Sequence, residues 1–296
     1  MDTFFLILAT GLSVGALYYL LASGLSLIFG LMDVLSFAHG ALLTFSAYSA
    51  IMTMNWFGAA STGALLAAIV VSTLVGGAVA FLVEWLFLRP MYARGHLSQL
   101  LVTMGIGLVL IAAVTIGFGP DPRSMPLPDN VSGSIDVFGV LIPVSALVTV
   151  AAALLLHAGL MAFLRRTRHG LIVRAGVENA DMVRGLGIDV AKSFAMVFTI
   201  GGLAAGLAGA LALVYVRAGT PHLGDTYLIY AFIVIVIGGI GSLPGTLIAA
   251  ALVGLSQQFA NHYLTGGAGD LLVLALLALM LLARPQGLFG KTGRIV

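Results

Sequence analysis

The chain of 296 residues is 60% hydrophobic and 8% charged, with 13 Lys/Arg, 11 Asp/Glu and no Cys. Soluble domains carry about 25% charged residues, so two soluble domains are excluded and residues 1–296 are expected to form a single transmembrane domain. The missing Cys exclude a disulfide framework and a thiolate metal site, and a pI near 9.0 fits orientation against anionic lipid without a nucleic-acid partner.

The first run, MDTFFLILATGLSVGALYYLLASGLSLIF, lacks a basic leader region and exceeds a signal-peptide core, so it reads as the first membrane helix rather than a removed leader. A bilayer core takes roughly 20 apolar helical residues. Long runs are Phe4–Phe29, Val34–Met54, Gly63–Leu88, Leu97–Phe118, Val137–Leu164 and Phe194–Val216. Tyr227–Ile237, Thr246–Ala260 and Leu271–Ala283 look short for independent spans. None alternates as barrel strands do. The expected class is all-α, a polytopic bundle of about eight to ten helices.

Eleven of the 13 Lys/Arg fall at Arg89–Arg94, within 165–192, and in the tail from Arg284, and alternating crossings put all three on one face. Arg123 and Arg217 lie opposite, with Asp2, Asp121, Asp129, Asp136, Asp225 and Asp270. The basic asymmetry predicts that island and C-terminus are cytoplasmic and the N-terminus outside. Small residues four apart, such as Gly11 with Gly15, Gly202 with Gly206 and Ala205 with Gly209, suit close helix packing in lipid.

The island RRTRHGLIVRAGVENADMVRGLGIDVAK (165–192) holds six of the 13 basic residues. Asn179 or Asp181 can cap a short helix over 180–186. Gly185 and Gly187 supply its stop. Met182, Val183 and Leu186 then project as an apolar knob, with Glu178 and Arg184 among its charged surroundings. So short a helix is marginal alone. Docking on a partner and lying on lipid headgroups fit these residues equally.

Four further stretches carry a resemblance: LIFGLMDVLSFAHGALLTFSAY (Leu27–Tyr48), VEWLFLRPMYARGHLSQLLVTMGIGLVL (Val83–Leu110), GGIGSLPGTLIAAALVG (Gly238–Gly254) and LLARPQGLFG (Leu281–Gly290). With the island they resemble, in chain order and over nearly the whole length, the high-affinity branched-chain amino acid permeases of ABC importers. ENADMVRGLG keeps a Glu, an Ala and a Gly but departs from the Glu-Ala-Ala loop spacing of other importers. The resemblance implies a bacterial inner-membrane importer: a second, related permease subunit, two ATP-binding subunits that hold ATP and Mg, and a periplasmic solute-binding protein. It makes 165–192 the coupling loop, and Glu178, Asn179, Asp181, Met182, Val183, Arg184, Gly185, Leu186 and Gly187 the contact with the ATPase. The solute would be a branched-chain or similar hydrophobic amino acid, with urea, another amide or a small carboxylate as the alternative. A stand-alone secondary transporter or channel is the rival of a different class.

The chain carries no cofactor site and no enzymatic centre of its own. GLFGKT imitates a phosphate loop, but Pro285 stands where its first Gly must be. Ser242 and His262 fall near opposite faces, so they form no nucleophile–base pair. His96, His157, His169 and His222 are scattered without metal spacing.

The breaks at Asp33–Gly40 and Gly238–Gly245 each join two apolar runs through a flexible gap. Paired broken helices point to a solute path, which makes Ser36, His39, Gly40 and Ser242 candidates. Two ordinary turns, with His39 bonded to a carbonyl inside the bundle, are the plainer alternative. Gln257, Gln258 and Asn261 are candidate path-lining amides. Glu84 is expected to pair with Arg89 or with the island.

Overall fold

The computed structural model describes residues 2–290 except Asp33, Ala59, Ala93, Phe138, Asn179, 186–189 and 265–266. Among the described residues nine apolar helices match the nine runs: α1 (Asp2–Met32), α2 (Ala38–Phe57), α3 (Thr62–Val83), α4 (His96–Phe118), α6 (Val144–Arg166), α9 (Val190–Val216), α10 (Leu223–Gly238), α11 (Leu243–Tyr263) and α12 (Ala268–Ala283). Between them stand the short α5 (Asp129–Ser132), α7 (Arg168–Glu178) and α8 (Ala180–Gly185). Among the described residues six helical segments are long and apolar enough to cross a membrane, which makes this a multi-pass membrane protein.

Three expectations are corrected in detail. The run from Gly63 continues past α3 through a π-helical turn at Glu84–Leu88 and a 3-10 turn at Arg89–Met91. The run from Val137 is not helical at its start. β2 (Ser134–Val137) and β3 (Val140–Pro143) form a hairpin there, closed by Gly139 at φ +86° and by its N–H on Asp136 Oδ1. α11 spans 21 residues because Ser242 caps it, accepting the Gly245 N–H at 3.2 Å, two residues before Pro244 would have seemed to stop it. α10 and α12, at 16 residues each, stay shorter than a full bilayer core.

α2 packs against α3, α4, α9 and α10. His39, Thr44, Ser46 and Thr53 on this helix are buried in protein, so the polar residues in its sequence meet neighbouring helices rather than lipid. At its entry the Phe37 N–H donates to Thr103 Oγ1 on α4 at 3.3 Å, which satisfies the chain where it starts α2.

Missing side chains set the helix spacings. A methyl on Gly15 would come 3.2 Å from the Ala251 Cα on α11, and one on Gly206 would come 2.9 Å from the Thr73 Cα on α3. In lipid such close approach, not hydrophobic exclusion, is what holds helices together. Ser72 adds a polar tie: its hydroxyl lies 2.8 Å from both the Ser46 carbonyl of α2 and the Gly206 carbonyl of α9, and its one proton serves either.

Both ends are closed by chain. On the end away from the island, β1 (Arg123–Ser124) pairs with β4 (Ala218–Gly219). Arg123 there donates to the Phe118 carbonyl and Arg217 to the Ser132 carbonyl. On the island end, Leu288 and Phe289 donate their N–H groups to the carbonyls of Ile237 and Gly238, at 2.8 and 3.2 Å. The tail Arg284–Gly290 thus satisfies the last turn of α10, whose carbonyls have no partner within the helix.

Candidate functional site

The island is more ordered than a connecting loop. Its first part is α7, a helix the sequence reading left as loop. Thr167 starts it, accepting the Gly170 N–H on its hydroxyl at 2.9 Å. Gly170 lies directly on the α6 backbone at Phe163 and Leu164. Val173 of α7 and Val183 of α8 are 1% and 2% exposed and belong to the core shared with α1, α6 and α9. The expected three-residue knob is therefore corrected: Val183 points into the bundle, whereas Met182 is 55% exposed. Glu178 ends α7, and Asp181, Arg184 and Gly185 lie on α8. Asn179, Leu186 and Gly187 fall outside the described residues.

A second cluster ties the end of the α3 segment to α9. Glu84, fully buried in the π turn, accepts the Tyr92 hydroxyl on Oε1. Arg89 lies close enough for its charge to reach this carboxylate. Tyr92 in turn sets its ring edge-on to Phe194, 5.0 Å between centroids, at the start of α9. The tyrosine, not the expected arginine or island residue, is the direct hydrogen-bond partner.

The candidate path residues separate. His39 is fully buried between Gly24 of α1 and Gly201 of α9, whose absent side chains make room for its ring. The Leu21 carbonyl comes near, yet neither ring nitrogen reaches hydrogen-bond geometry. Ser36 is likewise buried with its hydroxyl unpaired. Gly40 allows α2 to touch α10 at Gly224, and Ser242 is the α11 cap. No hydrogen bond among the described residues joins the two breaks.

Gln257 is different. Its Oε1 accepts the Tyr18 hydroxyl at 2.6 Å, and its Nε2 donates to Asp270 Oδ1 at 2.8 Å. The Tyr230 hydroxyl donates to the same Oδ1 at 2.6 Å. Tyr18 and Tyr230 stack with centroids 4.6 Å apart and an 18° interplanar angle. Four helices, α1, α10, α11 and α12, thus converge on one carboxylate. The sequence reading missed Tyr18, Tyr230 and Asp270; the spacing of Tyr227 and Tyr230, one helical turn apart, was the only local signal. Asn261 nearby accepts the Gly269 N–H at the start of α12. Among the described residues no group of three or more His, Asp or Glu could hold a metal ion.

The branched-chain amino acid transport system / permease component family matches residues 7–283. The chain is 30% identical to the high-affinity branched-chain amino acid transport system permease protein BraD of Pseudomonas aeruginosa, covering 96% of this chain and 95% of that one. It is 29% identical to the corresponding permease protein LivH of Escherichia coli, covering 95% and 94%. Among solved structures, a metal-chelate type ABC transporter in an inward-facing conformation matches with a TM-score of 0.53 at 19% identity, over 93% of this chain and 83% of that one. That likeness concerns the fold alone.

Proposed function

The chain belongs to the branched-chain amino acid permease family, and from that premise we propose that it is one transmembrane subunit of an ATP-driven importer of branched-chain or similar hydrophobic amino acids. The proposal places it in a bacterial inner membrane, with island and C-terminus in the cytoplasm. Its partners are a second, related permease, two ATP-binding subunits and a periplasmic solute-binding protein. ATP and Mg sit in the partners. The phosphate-loop mimic in the tail has a packing role instead, since Gly287 lies against the backbone of Gly239.

The observation that carries the reading is the build of the island. α7 and α8 are rooted in the bundle core through Val173 and Val183, while Met182 faces outward. A rooted helix pair passes a displacement of its outer face to α1 and α9; a helix floating on headgroups does not. Alternating access needs two global states that ATP binds unequally. The island is the part of this chain through which the partner's ATP state would bias them. The proposed contact comprises Glu178, Asn179, Asp181, Met182, Arg184, Gly185, Leu186 and Gly187, with Val183 as its root.

The test is reconstitution of the permease pair in proteoliposomes, with and without the ATP-binding subunits and the binding protein. Leucine uptake should require all components, and the permease pair alone should hydrolyse no ATP. Concentrative uptake by this chain alone under an ion gradient would establish the stand-alone transporter instead.

A further inference from the structure

The helix faces exposed on this chain are not alike. α3 and α4 present Leu66, Val70, Leu74, Leu101, Leu108 and Ile116, which suit hydrocarbon. The surface where α10 meets α12 presents Asp270 beside the half-buried Tyr230. A carboxylate on a helix surface of a membrane protein faces water, a cavity, an aqueous path or a partner, because hydrocarbon solvates it so poorly.

That carboxylate is held but not neutralised. Gln257 Nε2 and the Tyr230 hydroxyl fix Oδ1. As Asp270 only accepts, the Gln257 amide must turn its nitrogen to it, and the Tyr18 hydroxyl then locks the amide oxygen. No hydrogen bond from a described residue reaches Oδ2, and no described Lys or Arg pairs with Asp270. The two basic residues at this end, Arg123 and Arg217, are spent on backbone carbonyls. Asp225, the acid on α10, has His222 at 2.8 Å. The carboxylate meets Tyr230 at its hydroxyl, and behind it the rings of Tyr230 and the buried Tyr18 stack on each other, with Tyr227 edge-on to Tyr18 at 6.1 Å. A positioned carboxylate with one open oxygen has the chemistry that recognises a cation through charge and hydrogen bonds together.

We propose that Asp270, oriented by Gln257 and Tyr230, is a subsite for the primary ammonium of the transported solute. This rests on the reading of the chain as an amino acid permease and deepens it: the solute is recognised by its amine in the permease itself, not only in the binding protein. Tyr18 and Gln257 are positioning residues, acting through Asp270.

The experiment uses the complete importer. In detergent, without nucleotide, bound radiolabelled leucine should be displaced by 3-methylbutylamine, which keeps the ammonium and lacks the carboxylate. Displacement by 4-methylpentanoate, which lacks the ammonium, should be at least about tenfold weaker. In proteoliposomes, Asp270→Asn should lower kcat/KM for leucine uptake about tenfold or more. Asp270→Glu should recover part of the amine displacement. A purely structural Asp270, one that only favours the N-terminus of α12, predicts unchanged uptake for Asp270→Asn, and that result overturns the proposal. So does equal displacement of leucine by the amine and the acid in the wild-type importer, which decides the matter even where Asp270→Asn fails to assemble. If the wild-type importer takes up no leucine at all, the functional reading falls and the subsite with it. If it imports leucine and Asp270→Asn imports equally well, only the subsite falls.

Discussion

Tyr92 donates its hydroxyl to the buried carboxylate of Glu84 and turns its ring edge to Phe194. This contact joins the end of the α3 segment to the first turn of α9, the helix that leaves the island. Among the described residues Glu84 Oε2 has no hydrogen-bond partner and the tyrosine is the only hydrogen-bond donor on that carboxylate. Tyr92→Phe should therefore destabilise the permease by about 1–3 kcal/mol, the cost of leaving a buried acceptor unsatisfied. Glu84→Met in the Tyr92→Phe background should regain most of it, since removing both partners is far cheaper than removing one. Thermal unfolding of the detergent-purified chain measures both, and equal midpoints for wild type and Tyr92→Phe would show that the contact carries no stability.

Glycine substitutions should divide by what the added methyl meets. On Gly206 it would strike Ser72 and Thr73 backbone, whereas on Gly105 it meets nothing within 4 Å. Gly206→Ala should cost roughly 1–3 kcal/mol by forcing α3 and α9 apart. Gly105→Ala should be neutral or slightly stabilising, because Ala is the better helix former. Protease resistance of the two variants in membranes separates them.

The close-packed pairs were legible in the sequence because small residues four apart have one physical use in a bilayer. The number of helices was legible for a similar reason: hydropathy over about 20 residues reports the solvent. Other features carry no such signal. α7 lies in an Arg-rich stretch whose hydropathy looks like loop, and only the burial of Gly170 and Val173 reveals that it has an inner face. Met182 and Val183 were read as one knob, yet consecutive helical residues point about 100° apart, so a short helix sends one inward when it sends the other out. Tyr18 and Gln257 are 239 residues apart in the chain. No local pattern could pair them, and Asp270 was counted only as a charge on the far side of the membrane.

The tail gives a further prediction. Leu288 and Phe289 cap the last carbonyls of α10, and Gly287 holds φ +79° with its Cα against Gly239. Gly287→Val adds a β-branched side chain in a left-handed conformation, at about 1–2 kcal/mol for the backbone alone, and drives it into Gly239. Gly287→Val should release the tail and raise hydrogen exchange at the end of α10, with little effect at the α3–α9 contact. Unchanged exchange at Ile237 and Gly238 would mean that the tail does not protect them.

The island makes the sharpest comparison, because two neighbouring residues should fail in opposite ways. Met182 is 55% exposed and Val183 only 2%. Introducing a charge at an exposed position changes the stability of the isolated chain by no more than about 0.5 kcal/mol. If Met182 enters a groove of the ATP-binding subunit, the same charge loses its water on assembly without gaining a partner, which costs several kcal/mol. Met182→Asp should therefore leave the thermal midpoint of the permease alone unchanged. It should also abolish co-purification of the ATP-binding subunits, or uncouple their hydrolysis from the binding protein. Val183→Asp buries its charge in the permease core with or without partners. It should lower the midpoint of the isolated chain and detach α8 from the bundle. The pair distinguishes a rooted handle from a surface helix: a helix resting on headgroups tolerates both substitutions by lifting into water. Wild-type assembly and stimulated hydrolysis with Met182→Asp would remove the outward face of α8 from the coupling contact. A wild-type midpoint with Val183→Asp would show that the handle has no root in the bundle.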